Sequence, residues 1–216
     1  MPSTRFKHLR TRRVRLFVGP TCNAKCKFCY YIDHLEKKAV PSTDFLKKEI
    51  RWAFSRGAEA IDLSGGEPTM RDDLPELMSY AKQLGYSTIS IITNGVRTSN
   101  TSYFDRLIAS GLNDILVSVH GGSAEMHDSL VGVPGAFSKL LKTLANVRSS
   151  GINLRTNTTV VTENCEQIPE LAKFLAGHRP CAVNLILFNN WYSSEQQMGM
   201  MPSFQHACES IREAID

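Results

Sequence analysis

The chain has 216 residues, 42% hydrophobic and 21% charged. That composition excludes a disordered polymer and suits one substantial core rather than two large domains. No apolar run reaches the roughly 18 residues that a membrane crossing needs, and Lys25 and Lys27 follow the first strand pattern closely, so neither a span nor a secretory signal is expected. The net charge of +4 owes much to Arg5, Lys7, Arg10, Arg12, Arg13 and Arg15. Phe6 is the only aromatic residue that interleaves with them, so residues 1–13 read as a solvated basic leader first and a nucleic-acid contact second.

From residue 14 onward, short apolar runs alternate with segments of helical period. A first strand is expected over 14–18, followed at once by Cys22, Cys26 and Cys29. The first helix carries Phe45, Leu46, Ile50, Ala53 and Phe54 and ends at Gly57. A second strand over 60–64 runs into Gly65-Gly66-Glu67-Pro68. The next helix opens on a capping box of Asp73 and Glu76 and buries Leu74, Leu77, Met78, Ala81 and Leu84. A third strand over 87–93 precedes Asn94-Gly95 and a helix marked by Tyr103, Phe104, Leu107 and Ile108. A fourth over 114–120 precedes Gly121-Gly122 and a helix with Phe137, Leu140, Leu141, Leu144 and Val147. A fifth over 153–161 leads to a helix capped by Asn164 and Gln167, and a sixth over 182–188 to a final helix from about Ser203. Runs such as Ile115-Leu116-Val117 suit strands covered on both faces.

Six such units imply an α/β fold with a parallel sheet and right-handed crossovers, either open and doubly wound or curved into an incomplete barrel. In both, chemistry gathers at the carboxyl ends of the strands. The cysteines, the Gly65–Pro68 segment, Asn94-Gly95 and His120-Gly121-Gly122 all follow strands directly, so all fall on that one edge.

Cys22-x3-Cys26-x2-Cys29 brings three soft thiolate donors onto one loop, as iron–sulfur clusters require. Three ligands on a cubane leave one iron open to a small molecule. The alternatives are a zinc site completed by His34, and unliganded or disulfide-bonded thiols. Such grouping of cysteines belongs to a reducing compartment, so a cytoplasmic location is expected. Cys165, Cys181 and Cys208 are expected as small buried residues, Cys208 most clearly, on the apolar stripe of the last helix.

The spacing Cys22-Asn23-Ala24-Lys25-Cys26-Lys27-Phe28-Cys29, with Gly65-Gly66-Glu67-Pro68 after the second strand, resembles the radical S-adenosylmethionine superfamily. Thr93-Asn94-Gly95 and Ser118-Val119-His120-Gly121 resemble the branch that includes the molybdenum-cofactor cyclase. The resemblance implies a partial (β/α)6 TIM-like barrel over residues 14–216; without the usual further segment that covers the barrel mouth or binds auxiliary clusters, the chain is expected to be a compact member, to rely on a partner, or to be a piece of a longer protein. It implies a [4Fe–4S] cluster on Cys22, Cys26 and Cys29, with the methionyl amine and carboxylate of S-adenosylmethionine on the fourth iron. Phe28 would lie beside the adenine and the backbone near Tyr30 on its edge. Gly65, Gly66, Glu67 and Pro68 would accept the methionyl ammonium, with Gly65 and Gly66 letting the backbone approach the ligand. Asn94 and Ser118 would meet the ribose or carboxylate, and Asn157 offers a further polar contact. His120 stands where similar proteins often carry an acid, and the fifth strand lacks their glycine-rich pattern.

The implied reaction is reductive cleavage of S-adenosylmethionine to a 5′-deoxyadenosyl radical that takes hydrogen from a small biosynthetic molecule. The electron would come from a one-electron reductant such as flavodoxin or ferredoxin. The rival readings are a peptide-modifying enzyme and a zinc-stabilised nucleic-acid-binding module. His120 and His127 are candidates for acid–base steps near neutral pH. Arg155 would pair with a substrate anion or with Glu67, and Asn189-Asn190-Trp191-Tyr192 offers a polar–aromatic patch for a ligand.

Overall fold

The computed structural model describes residues 12–29, 39–189 and 197–215. Among them, six strands form one sheet in chain order: β1 (Arg13–Phe17), β2 (Ala60–Ser64), β3 (Thr88–Thr93), β4 (Asp114–Ser118), β5 (Asn153–Val160) and β6 (Ala182–Leu187). Every neighbouring pair is parallel. This order decides the architecture. A doubly wound sheet reverses its strand order at a switch point. Without reversal, right-handed crossovers put all the helices on one face and the sheet curls around the other. The fold is a partial (β/α)6 barrel with β1 and β6 as its edges.

The helices are α1 (Thr43–Ser55), α2 (Leu74–Leu84), α3 (Thr101–Ala109), α4 (Ala124–Val131), α5 (Ala136–Ser150), α6 (Ile168–Ala176) and α7 (Phe204–Ile215). Strand residues of odd number on β2 to β4, among them Ile61, Leu63, Ile89, Ile91, Ile115 and Val117, meet Leu46, Ile50, Leu77, Met78, Phe104, Leu107, Leu140 and Leu144 in the main core. Each fully buried Leu or Ile there contributes about 1.5–3 kcal/mol.

The even positions face the lumen, and low in the barrel they are polar. Arg155 Nη2 donates to Asp62 at 2.8 Å and to Ser90 at 2.9 Å, Nε donates to Asp114 at 2.8 Å, and Arg13 donates to Asp62 at 2.6 Å. The strands are therefore not apolar on both faces, as their sequences suggest. Asp62, Ser90 and Asp114, aligned in register, are the polar half of an alternation, and Arg155 ties these three strands to its own. Its expected partner Glu67 is not among its contacts. Arg13 belongs to this floor rather than to a solvated leader.

Several local expectations change for physical reasons. Asp73 makes no capping bond to α2, because its carboxylate accepts from Arg71 and Thr43. The Asn164 carboxamide accepts from Val161 N–H and donates to the His120 and Thr159 carbonyls, so it ties loops together instead of capping α6. Gln167 likewise makes no side-chain cap, and a short 3-10 turn, Cys165–Gln167, precedes the helix. Cys165 is buried as expected, but Cys181 and Cys208 are exposed. α7 instead buries Ala207 and Ser210, and Phe204 faces solvent. Phe45 on α1 is exposed as well. α4 has no counterpart among the expected helices, although its signals are present: Ser123 accepts from Met126 N–H as N-cap, and Gly132 takes the left-handed stop at φ +66°.

Candidate functional site

The cysteine loop leaves β1 already paired to the loop after β2. Val18 N–H donates to the Ser64 carbonyl at 2.7 Å, Gly66 N–H to Gly19 at 2.9 Å, and Glu67 N–H to Thr21 at 2.8 Å. The backbones lie so close that a Cβ on Gly65 would stand 2.3 Å from the Gly19 oxygen, and one on Gly66 2.2 Å from the Pro20 oxygen. The two glycines are therefore required by the cysteine loop itself, whatever ligand approaches them. Arg71 braces the stem by donating to the Val18 and Pro41 carbonyls.

The far side of the loop rests on α4. Lys25 N–H donates to the Val131 carbonyl at 3.0 Å and Lys27 N–H to Leu130 at 2.9 Å. Gln197 Nε2 donates to the carbonyls of Lys27, at 2.7 Å, and Cys29, at 3.2 Å. Apart from His127, neither α4 nor Gln197 figures in the expected site, and the support they give the cysteine loop is not expected, since nothing in their sequence says which loop they hold.

Between this loop and the strand ends lies a cavity of about 780 Å³. Cys22, Cys26, Cys29, Phe28, Gly65 and Gly66 line one side. Asn94, Ser118, His120, Asn157 and Thr159 line the strand ends, with Ile92, Ile186 and Phe188 as apolar wall. Among the described lining residues, Lys25 alone carries a permanent charge. Burial, then the neighbouring thiols Cys29 and Cys22, push the Cys26 thiol up to about 12, and burial also raises Cys22. Three crowded sulfurs of this kind lose their protons to a bound cation, which is the condition an iron cluster meets. Among the described residues no group of three or more His, Cys, Asp or Glu side chains is arranged to hold a metal ion. A cubane asks for less, because each thiolate takes its own iron, so the donor set fits the cluster.

The remaining candidates divide by whether their polar groups are already engaged. Glu67 is buried, and its carboxylate accepts from Thr69 N–H and hydroxyl, the Thr93 hydroxyl and Asn94 N–H. Burial raises its carboxyl while these donors pull it down. It builds the rim through these bonds, three of them on Oε1 and one, from Asn94 N–H, on Oε2. Pro68 starts a 3-10 turn, Pro68–Met70, behind it. Asn94 is engaged too, donating to Asn23 at 2.7 Å and accepting from Val96 N–H. The side chains of Ser118 and Asn157 bond no protein group among the described residues and face the cavity.

Phe28 is buried in a second small cluster with Leu130, Val161, Phe188 and Met200, and its ring meets that of His120 at a centroid distance of 4.4 Å. His120 is buried, and that burial, with His127 nearby, pushes it down to about 3. His127 is pushed down to about 4, chiefly by burial. Both rings are held neutral at neutral pH by this burial. His127 lies behind His120, accepting its N–H, and does not reach the cavity. Tyr30, His34, Asn190, Trp191 and Tyr192 lie outside the described residues.

Residues 16–175 match the family model of the radical SAM superfamily. Among curated proteins the chain is 33% identical over 157 residues to an AdoMet-dependent heme synthase of Nitratidesulfovibrio vulgaris, covering 72% of this chain and 42% of that one. It is 36% identical over 159 residues to an Fe-coproporphyrin III synthase of Methanosarcina barkeri, covering 71% and 38%, and 30% identical over 174 residues to a probable GTP 3′,8-cyclase of Saccharolobus islandicus, covering 80% and 54%. The chain thus spans about half or less of these relatives. Streptococcus suis SuiB bound to S-adenosylmethionine superposes over 95% of this chain and 48% of its own with a TM-score of 0.77 at 18% identity. For anSMEcpe with bound AdoMet and a peptide the figures are 95%, 58%, 0.71 and 17%. Cysteine spacing, barrel topology and family match agree: the chain belongs to the radical SAM superfamily.

Proposed function

We propose that this protein is a radical S-adenosylmethionine enzyme that holds a [4Fe–4S] cluster on Cys22, Cys26 and Cys29. The single observation behind this is the shared cavity, with three thiols on one side and unpaired polar groups of β4 and β5 on the other. When bound, the cluster supplies the electron that splits S-adenosylmethionine into methionine and a 5′-deoxyadenosyl radical able to take hydrogen from a substrate carbon. The chain's own contribution is placement. Main-chain groups of Gly65 to Pro68 face the methionyl ammonium, Phe28 packs on the adenine, and Ser118 and Asn157 bond the ribose or carboxylate. Asn94 holds the rim against Asn23. Ile92, Ile186 and Phe188 exclude water around the radical. A one-electron reductant such as flavodoxin or ferredoxin completes the system.

Within the superfamily we place the chain beside the heme-synthase and Fe-coproporphyrin III synthase relatives, at 32–36% identity, rather than the cyclases, at 26–30%. For the substrate, one observation favours a peptide over a nucleotide or a polycarboxylate: the described cavity wall offers Lys25 as its sole permanent cation. A triphosphate or a cluster of carboxylates is ordinarily met by several Arg or Lys side chains. An uncharged peptide segment needs only neutral polar groups and apolar wall.

The test is anaerobic reconstitution with iron and sulfide, then dithionite and S-adenosylmethionine, with 5′-deoxyadenosine as the readout. Brown protein with about four irons and four sulfides is expected. Cys26→Ser should abolish both cluster and product, and Cys208→Ser, on the exposed face of α7, should spare both. Cleavage surviving Cys26→Ser, or colourless protein holding one zinc, would remove the assignment.

A further inference from the structure

His120 follows the carboxyl end of β4, where it lines the cavity although only 3% of its surface is exposed. Its ring is held on three sides. Thr159 N–H donates to Nδ1 at 3.2 Å, the Phe28 ring lies 4.4 Å away at a 54° tilt, and the His127 ring lies 6.0 Å away and nearly parallel. The main chain is held as well: His120 N–H donates to His127 Nδ1, and the His120 carbonyl accepts from Asn164.

These contacts decide the tautomer. A ring nitrogen that accepts an amide hydrogen carries none of its own, so the imidazole hydrogen sits on Nε2. Among the described residues that Nε2–H finds no protein acceptor. It is not sealed away either, for the one unpartnered side-chain polar atom wholly shut from solvent is Thr156 Oγ1. His120 therefore presents a fixed, neutral hydrogen-bond donor to the cavity, at the edge of the ring that packs on Phe28.

We propose that this Nε2–H donates to a ring nitrogen of the adenine of bound S-adenosylmethionine, a contact resting on the reading that the adenine packs against Phe28. The chemistry of the corner selects that part of the ligand. Phe28, Phe188, Ile186 and Val131 form an apolar surround suited to a flat neutral ring. Adenine carries three acceptor nitrogens in its plane, within reach of a donor whose own ring abuts the same Phe. The methionyl ammonium and the sulfonium are cationic and gain nothing from an N–H donor. The ribose hydroxyls and the carboxylate have Ser118 and Asn157, two positions back along the same lumen faces of β4 and β5.

The experiment uses the full chain with its cluster reconstituted and oxidised, so that binding is read without turnover. Equilibrium affinity is measured for S-adenosylmethionine and its 1-deaza, 3-deaza and 7-deaza adenine analogues, on the unaltered protein and on His120→Phe, which keeps a ring and loses the N–H. One deaza analogue should bind the unaltered protein about tenfold more weakly. His120→Phe should bind S-adenosylmethionine about tenfold more weakly and should no longer discriminate against that analogue. Equal affinity of both proteins for S-adenosylmethionine, or discrimination that persists in His120→Phe, overturns the contact. Should the variant fail to fold, the ligand series suffices: equal binding of all four compounds to the unaltered protein also overturns it. Absence of any S-adenosylmethionine binding by the unaltered, cluster-loaded protein would instead remove the cofactor reading, a separate outcome.

Discussion

At the scale of single residues, the rim of the site depends on side chains whose bonds are all internal. Glu67 receives two main-chain N–H groups and two hydroxyls inside the protein. Glu67→Gln keeps the volume but turns an amide NH2 toward either Thr69 N–H or Asn94 N–H, and neither can rotate away. We expect a loss of about 1–3 kcal/mol in urea unfolding, and an unchanged midpoint would mean the carboxylate is not the acceptor that holds this loop. His120 and His127 carry a pH dependence whose sign follows from burial. Their folded values lie near 3 and 4, well below the roughly 6.5 of an unfolded histidine. Between those limits the unfolded chain takes up protons that the folded chain refuses. Stability is therefore full above about pH 6.5 and falls as pH drops below it, by up to about 1.4 kcal/mol per unit for each ring. His127→Asn keeps an acceptor for His120 N–H and removes one titrating ring, so denaturant midpoints between pH 5 and 7 should decline less steeply. Superimposable profiles would refute the buried-histidine account.

At the scale of elements, α4 is a support for the cysteine loop. Its last carbonyls, Leu130 and Val131, receive Lys27 and Lys25 N–H, and its stop at Gly132 sits directly under Lys25. A Cβ on Gly132 would lie 2.7 Å from the Lys25 oxygen, whereas one on Gly135, also at positive φ, meets nothing within 4 Å. Gly132→Ala and Gly135→Ala should each cost about 1 kcal/mol of backbone strain. Only the first should also displace the cysteine loop, and it should retain less iron after gel filtration than Gly135→Ala. Equal retention would show that the loop does not depend on α4.

At the scale of the whole molecule, the barrel is closed below by charge and left open above for chemistry. Arg155 bonds side chains from β2, β3 and β4 while standing on β5, so one guanidinium ties together four strands across the lumen. Hydrogen bonds to Asp114 and Asp62 hold its charge firmly against the opposing effect of burial. Arg155→Met would strand Asp114 without its cation and leave Asp62 to Arg13 alone, at a cost of about 3–5 kcal/mol in unfolding free energy. Adding Asp114→Asn to that variant should recover part of the loss. A single variant as stable as the parent would mean that the floor contributes nothing to the fold.

Much of this protein was written in its linear order. Six alternations of strand and helix, glycine stops, and polar segments placed after strands determined a parallel α/β fold with its chemistry at one edge. Three cysteines at close spacing put three soft thiolate donors on one loop, because these signals act over a few residues and need no partner from afar. Other features depended on which strands became neighbours. Only the sequential sheet order separated a barrel from an open sheet. Only that curvature turned Asp62, Ser90, Asp114 and Arg155 into one floor. Gly65 and Gly66 were legible as a tight segment, yet the object they make room for proved to be the backbone of the cysteine loop. The same holds for Asp73 and Asn164, whose local capping roles lost to Arg71, Thr43, Val161 and the loop carbonyls brought near by the fold. Hydrogen bonding between segments far apart in sequence leaves no periodic trace, so tertiary structure alone decided which polar groups are engaged and which, like His120 Nε2, face the cavity.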